Sequence, residues 1–271
     1  MKTASSLPVL TCQAFLNHYQ ADSPLHLCSD FDGTLVPFQA DPKACQLSPR
    51  QADTLTALAA LPGVHITIVS GRTLLDLQNR LGITGLGYVG NHGLEIATES
   101  LNFVHPGAVA MTTKLAHWQA ILQDKLHHFS GAWIENKTLS LSIHYRNLPE
   151  HRRQEFLSVV EECSSAITQE RQLLISAAKL VVEIRPNLAW TKGSAIQAIN
   201  DSIDADRSKA RRVYFGDDIS DEDAFAQWPD DLTVLVGEAN RLTHANYRLS
   251  DYLETHRLLD ALLKRVHLFR H

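Results

Sequence analysis

The chain has few cysteines for its length, and they do not cluster. Four occur among 271 residues, Cys12, Cys28, Cys45 and Cys163, and no two form a CxxC pair. A disulfide framework is not expected at this size, and cysteine-based zinc has no support. Long apolar runs are also missing. No stretch approaches the roughly 20 residues that span a bilayer. The N-terminus, MKTASSLPVLTCQAF, has one Lys and no sustained apolar core, so no signal peptide is expected. Basic excess is absent too. The net charge is −5, which offers no field for nucleic acid or an anionic membrane. Repeats and low-complexity segments are lacking. The 14 histidines are mostly isolated, and His127-His128 has no metal-ligand spacing. These absences leave a cytoplasmic protein without nucleic-acid or membrane partners, and its 44% hydrophobic residues can bury a substantial core.

What is present is organised around residues 25–36, LHLCSDFDGTLV. Leu25, Leu27 and Cys28 form a short apolar run, Asp30 and Asp32 follow, and Gly33-Thr34 break it. Such a run ending in a turn signal predicts a buried strand with the acids just past its end. Ser48-Pro49 reads as an N-cap with Pro at the first helical position, before Leu55, Leu58 and Leu61 at helical spacing. Val64–Val69 is a second strand, ending in Ser70-Gly71-Arg72. A helix from about Thr73 to Gly82 and a strand at Tyr88-Val89 follow. A short helix over 8–20 precedes all of these. Strand and helix alternate, which predicts an α/β unit with a parallel sheet.

The rhythm changes after about residue 94. Helices are predicted over 108–129 and 149–169. Strands are predicted over 131–136, 139–145, 172–176 and 179–185, paired as antiparallel hairpins. This block reads as an α+β unit inserted into the α/β unit. The α/β pattern then resumes with a helix over 193–204, strands over 212–215 and 232–236, and helices over 219–227 and 251–266. The expected division is a discontinuous core, 1–96 with 187–271, around an inserted domain, 97–186.

Three polar clusters each follow an apolar strand of the α/β unit: DFDGT (30–34), SGR (70–72) and GDDISD (216–221). In open parallel sheets, ligand sites lie beyond the carboxyl ends of the strands. Thr191-Lys192-Gly193 stands before a helix whose Lys can reach the same crevice. Acids that bind a hard cation suit Mg²⁺, and a lysine, a hydroxyl and backbone N–H groups beside it suit a phosphate. An EF-hand is a poor alternative, because the Gly falls at position 4 rather than 6 and no Glu stands at position 12. A bare Asp-x-Asp also serves metals in glycosyltransferases. The acids at 217–223 are also compatible with a solvated helix N-terminus.

In this order, DFDGTLV, SGR, Lys192-Gly193 and GDDISD resemble the four motifs of haloacid dehalogenase-like (HAD) phosphatases, with no departure from the core pattern. The resemblance implies a Rossmann-like core with a C2-type cap. It implies Asp30 as nucleophile, Asp32 as general acid and base, and Ser70 and Lys192 as phosphoryl ligands. Mg²⁺ would be held by Asp30, the Asp32 carbonyl and Asp217, with Asp218 and Asp221 in or near its shell. Gly90–Glu95 (GNHGLE), Glu135-Asn136-Lys137, His144-Tyr145-Arg146 and Glu183–Pro186 (EIRP) resemble the trehalose-6-phosphate phosphatases. That likeness implies Glu135, Lys137 and Glu183 as sugar ligands, and trehalose 6-phosphate as the small-molecule substrate of a monomer. Gly71, Arg72, Asn91 and His92 are candidate substrate contacts. Asn91 and His92 are equally readable as structural, and Arg72 as the partner of a core acid. Other capped phosphatases, acting on sucrose or mannosylglycerate phosphates, share the core motifs. A non-catalytic sugar-phosphate sensor would be expected to have lost Asp30 or Lys192, and both are present.

Overall fold

The computed structural model describes residues 1–19, 23–39, 41–178, 180–203, 211–238 and 241–269. The expected element ends at Gln20, Lys179 and Asp204 lie outside these residues. The chain divides into two compact units, residues 1–103 with 190–271, and residues 104–189. No described helix is long and apolar enough to cross a membrane.

The first unit is built on an eight-stranded sheet. Its spatial order is Tyr247–Leu249, Leu232–Val236, Arg211–Gly216, Leu25–Asp30, Val64–Val69, Leu86–Gly90, Glu95–Ala97 and Asn102–Val104. The first six strands pair in parallel. Glu95–Ala97 turns back antiparallel onto Leu86–Gly90. All six residues of Leu25–Asp30 are buried, as a central parallel strand requires. Alternation sorts the side chains onto two faces. Leu25, Leu27, Val213 and Phe215 join Phe15, Leu55, Leu58 and Leu259 in one apolar cluster. Cys28, Tyr214 and Leu235 join Ile196, Phe225 and Trp228 in another. Truncating one fully buried member such as Phe215 to Ala would cost about 3–5 kcal/mol.

The covering helices start where the turn chemistry places them. Pro49–Ala59 opens with a capping box, in which Ser48 Oγ accepts from Gln51 N and Ser48 N donates to the Gln51 side chain. In Leu74–Leu81, Thr73 Oγ1 accepts from Asp76 N, and the helix stops at left-handed Gly82.

The second unit is a four-stranded antiparallel sheet, ordered Trp133–Asn136, Leu141–His144, Val181–Pro186 and Leu173–Ala178. Leu141, Ile143, Val182, Ile184 and Leu173 pack with Leu115, Leu122, Phe156 and Val160 of helices Thr112–Leu126 and Glu150–Gln169. The single helix expected over 108–129 is instead two, Pro106–Val109 and Thr112–Leu126. The alternate residues of the strands fall on the opposite face. There Glu135, Ser142, Glu183 and Ser176 share one register row, and Trp133, His144 and Val181 the next.

Candidate active site

Three clusters converge because their strands are parallel and end together. Asp30 closes one strand, Ser70 follows Val69 of its neighbour, and Asp217 follows Gly216 of the other neighbour. Lys192, at the start of helix Lys192–Ile203, is buried among them. Its Nζ donates to Asp30 Oδ1 at 2.8 Å and to Asp221 Oδ1 at 2.8 Å. Asp221 is fully buried and also accepts from Tyr214 Oη at 2.8 Å and from Asp218 N at 3.0 Å. Thr34 Oγ1 donates to Asp217 Oδ1 at 3.3 Å. Gly33 adopts φ +94°, and a Cβ there would stand 2.1 Å from Asp217 Oδ2, so the DFDGT turn reaches the acid only because it carries no side chain at 33.

Among the described residues, Asp30, Asp217 and Asp221 offer carboxylate oxygens that all lie within 4.8 Å of one another. One ammonium cannot neutralise three carboxylates. Burial, then the Asp221 and Asp218 charges, push Asp217 up to about 7, against Lys192 and Thr34. Burial likewise raises Asp30 well above the carboxylate range; Lys192 opposes this, while Asp221 and Asp217 add to it. Burial would lower Lys192, but Asp221 and Asp30 outweigh it and hold the ammonium charged. The set therefore fits a small divalent cation with oxygen ligands.

Asp32 and Asp218 are engaged differently. The Asp32 carboxylate takes a two-pronged ion pair from Arg72, Nε to Oδ2 at 2.6 Å and Nη2 to Oδ1 at 2.7 Å. Arg72 also donates to Asp76 and to the Pro42 carbonyl, and its guanidinium lies over the Phe31 ring. The donors of Arg72 are thus directed at protein acceptors. Asp218 Oδ1 accepts from Ile219 N and caps the short Ile219–Asp221 helix. Ser70 Oγ accepts from Arg72 N, and the Ser70 carbonyl accepts from His92 N. Asn91 N donates to the Arg72 carbonyl, and both Asn91 Nδ2 and Leu74 N donate to Glu95. Asn91 and His92 are both left-handed, at φ 47° and 57°. The His92 ring sits where a Gly71 Cβ would be, 2.5 Å from that position. The two loops are thus stitched together by backbone and by Glu95.

On the second unit, Lys137 Nζ pairs with Glu183 Oε1 at 3.3 Å, and Ser142 Oγ donates to the same carboxylate at 3.4 Å. Glu135 Oε2 meets His144 Nε2 at 2.8 Å. Tyr214 and Arg241 are residues that sequence reasoning missed, while Glu95, quoted in the GNHGLE stretch, has no role of its own there. Arg241 pairs with Glu222 and donates to the Asp218 carbonyl at 3.0 Å, tying down the GDDISD turn. Tyr214 carried a signal, its place one step out of phase with Val213 and Phe215 just before that motif.

A mostly parallel sheet ending in these clusters, with an α+β unit inserted after Asn102–Val104, the fifth of its strands in chain order, defines a HAD-like hydrolase fold. The trehalose-phosphatase family model matches residues 28–249. The trehalose-phosphate phosphatase of Mycobacterium tuberculosis is 31% identical over 243 residues, covering 88% of this chain and 61% of that protein. The chain thus spans about three-fifths of the length of that relative. The C-terminal domain of C. albicans trehalose-6-phosphate phosphatase superposes with a TM-score of 0.81 at 24% identity, over 95% of this chain and 98% of that one. The C-terminal domain of a Candida albicans trehalose synthase regulatory protein gives 0.74 at 13% identity, over 94% of this chain and 99% of that one. Both show a shared fold. The chain belongs to the trehalose-phosphatase family.

Proposed function

We propose that this protein hydrolyses trehalose 6-phosphate to trehalose and phosphate, with Mg²⁺ held by Asp30, Asp217, Asp221 and the Asp32 carbonyl. The observation that carries this reading is the buried Asp30–Lys192–Asp221 chain with Asp217 beside it. The cation supplies charge that the protein's single ammonium lacks. Asp30 attacks phosphorus, and the sugar alkoxide leaves with a proton from Asp32, whose carboxyl must first come off its two-pronged pair with Arg72 and take up that proton. Water then attacks the aspartyl-phosphate, gives a proton to the Asp32 carboxylate and releases phosphate. Lys192 and Ser70 hold phosphoryl oxygens, and Lys192 keeps Asp30 oriented. Residues 97–186 act as the specificity cap, with Glu135, Lys137 and Glu183 accepting from and donating to sugar hydroxyls. The named groups all lie on one chain, so a monomer suffices.

The test is phosphate release from trehalose 6-phosphate, sucrose 6-phosphate, glucose 6-phosphate and an aryl phosphate, with Mg²⁺ and with EDTA. We expect Mg²⁺-dependent release biased to trehalose 6-phosphate. Asp30→Asn should lower turnover by more than about 10³-fold, as loss of a covalent nucleophile does, without lowering the thermal midpoint. Preference for another member of the panel would discard the roles of Glu135, Lys137 and Glu183. Activity retained by Asp30→Asn would discard the mechanism.

A further inference from the structure

The face of the second unit that carries Glu135 and Glu183 contains a pair that the reaction as written leaves unused. His144 is buried, and its Nε2 lies 2.8 Å from Glu135 Oε2, while the Glu135 side chain is 48% exposed. The imidazole stacks on Trp133, with ring centroids 4.5 Å apart and planes 11° from parallel. The three belong to neighbouring strands, where Trp133 stands opposite His144 and Glu135 two residues further along. His144 Nδ1 is buried and has no hydrogen-bond partner among the described residues. A proton must lie between Nε2 and the carboxylate. With a single ring proton it therefore sits on Nε2, because placing it on Nδ1 would bury an unpaired N–H and oppose two lone pairs. Trp133 fixes the ring plane, and the ring fixes the carboxylate.

We propose that His144, clamped by Trp133, is a positioning residue that pre-orients the Glu135 carboxylate for a sugar hydroxyl. This rests on the reading of Glu135 as a sugar ligand. A half-exposed glutamate on an edge strand would otherwise lose rotamer freedom on binding, and an existing tether removes that loss beforehand. His144 acts on the sugar, through Glu135, and not on phosphoryl transfer. Its loss belongs in KM for sugar phosphates and not in kcat.

Two variants separate the hydrogen bond from the packing. His144→Phe keeps a ring against Trp133 and deletes the donor. His144→Gln supplies an amide donor near the Nε2 position. In the full chain with Mg²⁺, His144→Phe should raise KM for trehalose 6-phosphate about tenfold, the loss of one charge-assisted hydrogen bond, with kcat unchanged. Hydrolysis of p-nitrophenyl phosphate, which has no sugar, should not change. His144→Gln should recover most of the KM. In ¹⁵N-histidine-labelled protein, His144 should be the Nε2–H tautomer, and Glu135→Ala should shift that resonance. The proposal is overturned if His144→Phe leaves KM unaltered, if both substrates suffer equally, or if His144 is the Nδ1–H tautomer. Should aryl phosphate be cleaved and trehalose 6-phosphate not, the substrate reading fails. The tautomer and its response to Glu135→Ala still decide the His144–Glu135 pairing.

Discussion

Lys192 has two buried carboxylates as partners, and this sets what its removal must do. Lys192→Ala leaves Asp30 and Asp221 facing each other without their shared cation in a dry site. Breaking a buried pair by deleting one partner costs about 3–5 kcal/mol, far more than losing a surface ion pair. Denaturant titration in EDTA should show that loss, and turnover should fall with it. A second residue-scale effect lies at the other end of the same strand. His26 is buried beside Thr67 and Cys28, with Trp228 edge-on, and burial lowers its pKa to about 4. In the unfolded chain it titrates near 6.5. The folded state therefore binds fewer protons between these values, so stability is full above 6.5 and is lost as pH falls towards 4. That difference amounts to about 3 kcal/mol. Wild type should lose about that much more than His26→Gln between pH 7 and pH 4, read from denaturant midpoints.

Among the elements, the turns carry the chemistry, and their glycines allow a sharp comparison. Gly33 and Gly63 both have positive φ, +94° and +76°. A Cβ at Gly63 meets nothing within 4 Å, while one at Gly33 meets Asp217. Gly63→Ala should therefore cost only the left-handed penalty, about 1–2 kcal/mol, and leave activity intact. Gly33→Ala adds displacement of Asp217, so Mg²⁺ affinity and turnover should both fall. The turn motifs were legible in the sequence because each pairs a β-branched or apolar run with residues that cannot extend it. Ser48-Pro49 and Thr73 with Gly82 were legible for the same reason, since caps are local. Glu95–Ala97, Asn102–Val104 and Tyr247–Leu249 were not. Each is a three-residue strand at or near a sheet edge, too short for alternation to register. The Arg72–Asp32 clamp was visible only as one of two alternatives. A guanidinium near a phosphate motif and a guanidinium near a carboxylate look alike until the loops are placed. The left-handed Asn91 and His92 were not read from the sequence: Asn and His tolerate that backbone better than most side chains, but the bonds from Asn91 N to the Arg72 carbonyl and from His92 N to the Ser70 carbonyl join residues about 20 positions apart.

For the whole molecule, the division into units sets where each function can reside. Among the described residues, the apolar clusters of the first unit draw on residues 4–103 and 190–266, and that of the second on 115–184. Asp30, Ser70, Lys192, Asp217 and Asp221 all belong to the first unit, and Glu135, Lys137, His144 and Glu183 to the second. The cut ends of the first unit already touch. The Phe103 and Trp190 rings are 5.2 Å apart, and Trp190 Nε1 donates to the Gly93 carbonyl at 2.8 Å. A Gly-Ser linker of about six residues has an r.m.s. span of about 13 Å, ample to rejoin them. Replacing 104–189 with such a linker should leave a cooperatively folding core, because no member of its clusters is removed. That core should still hydrolyse p-nitrophenyl phosphate with Mg²⁺ and stop in EDTA, since every residue proposed to hold the phosphoryl group or the cation remains. Its preference for trehalose 6-phosphate over the aryl ester should disappear, because the proposed sugar ligands Glu135, Lys137 and Glu183 have gone. Retained preference would move sugar recognition onto the first unit, and to the stitched Asn91–His92 loop before any other element. A core that folds but cleaves neither ester would mean that the excised unit contributes to the chemistry itself, which none of the contacts around Asp30 requires.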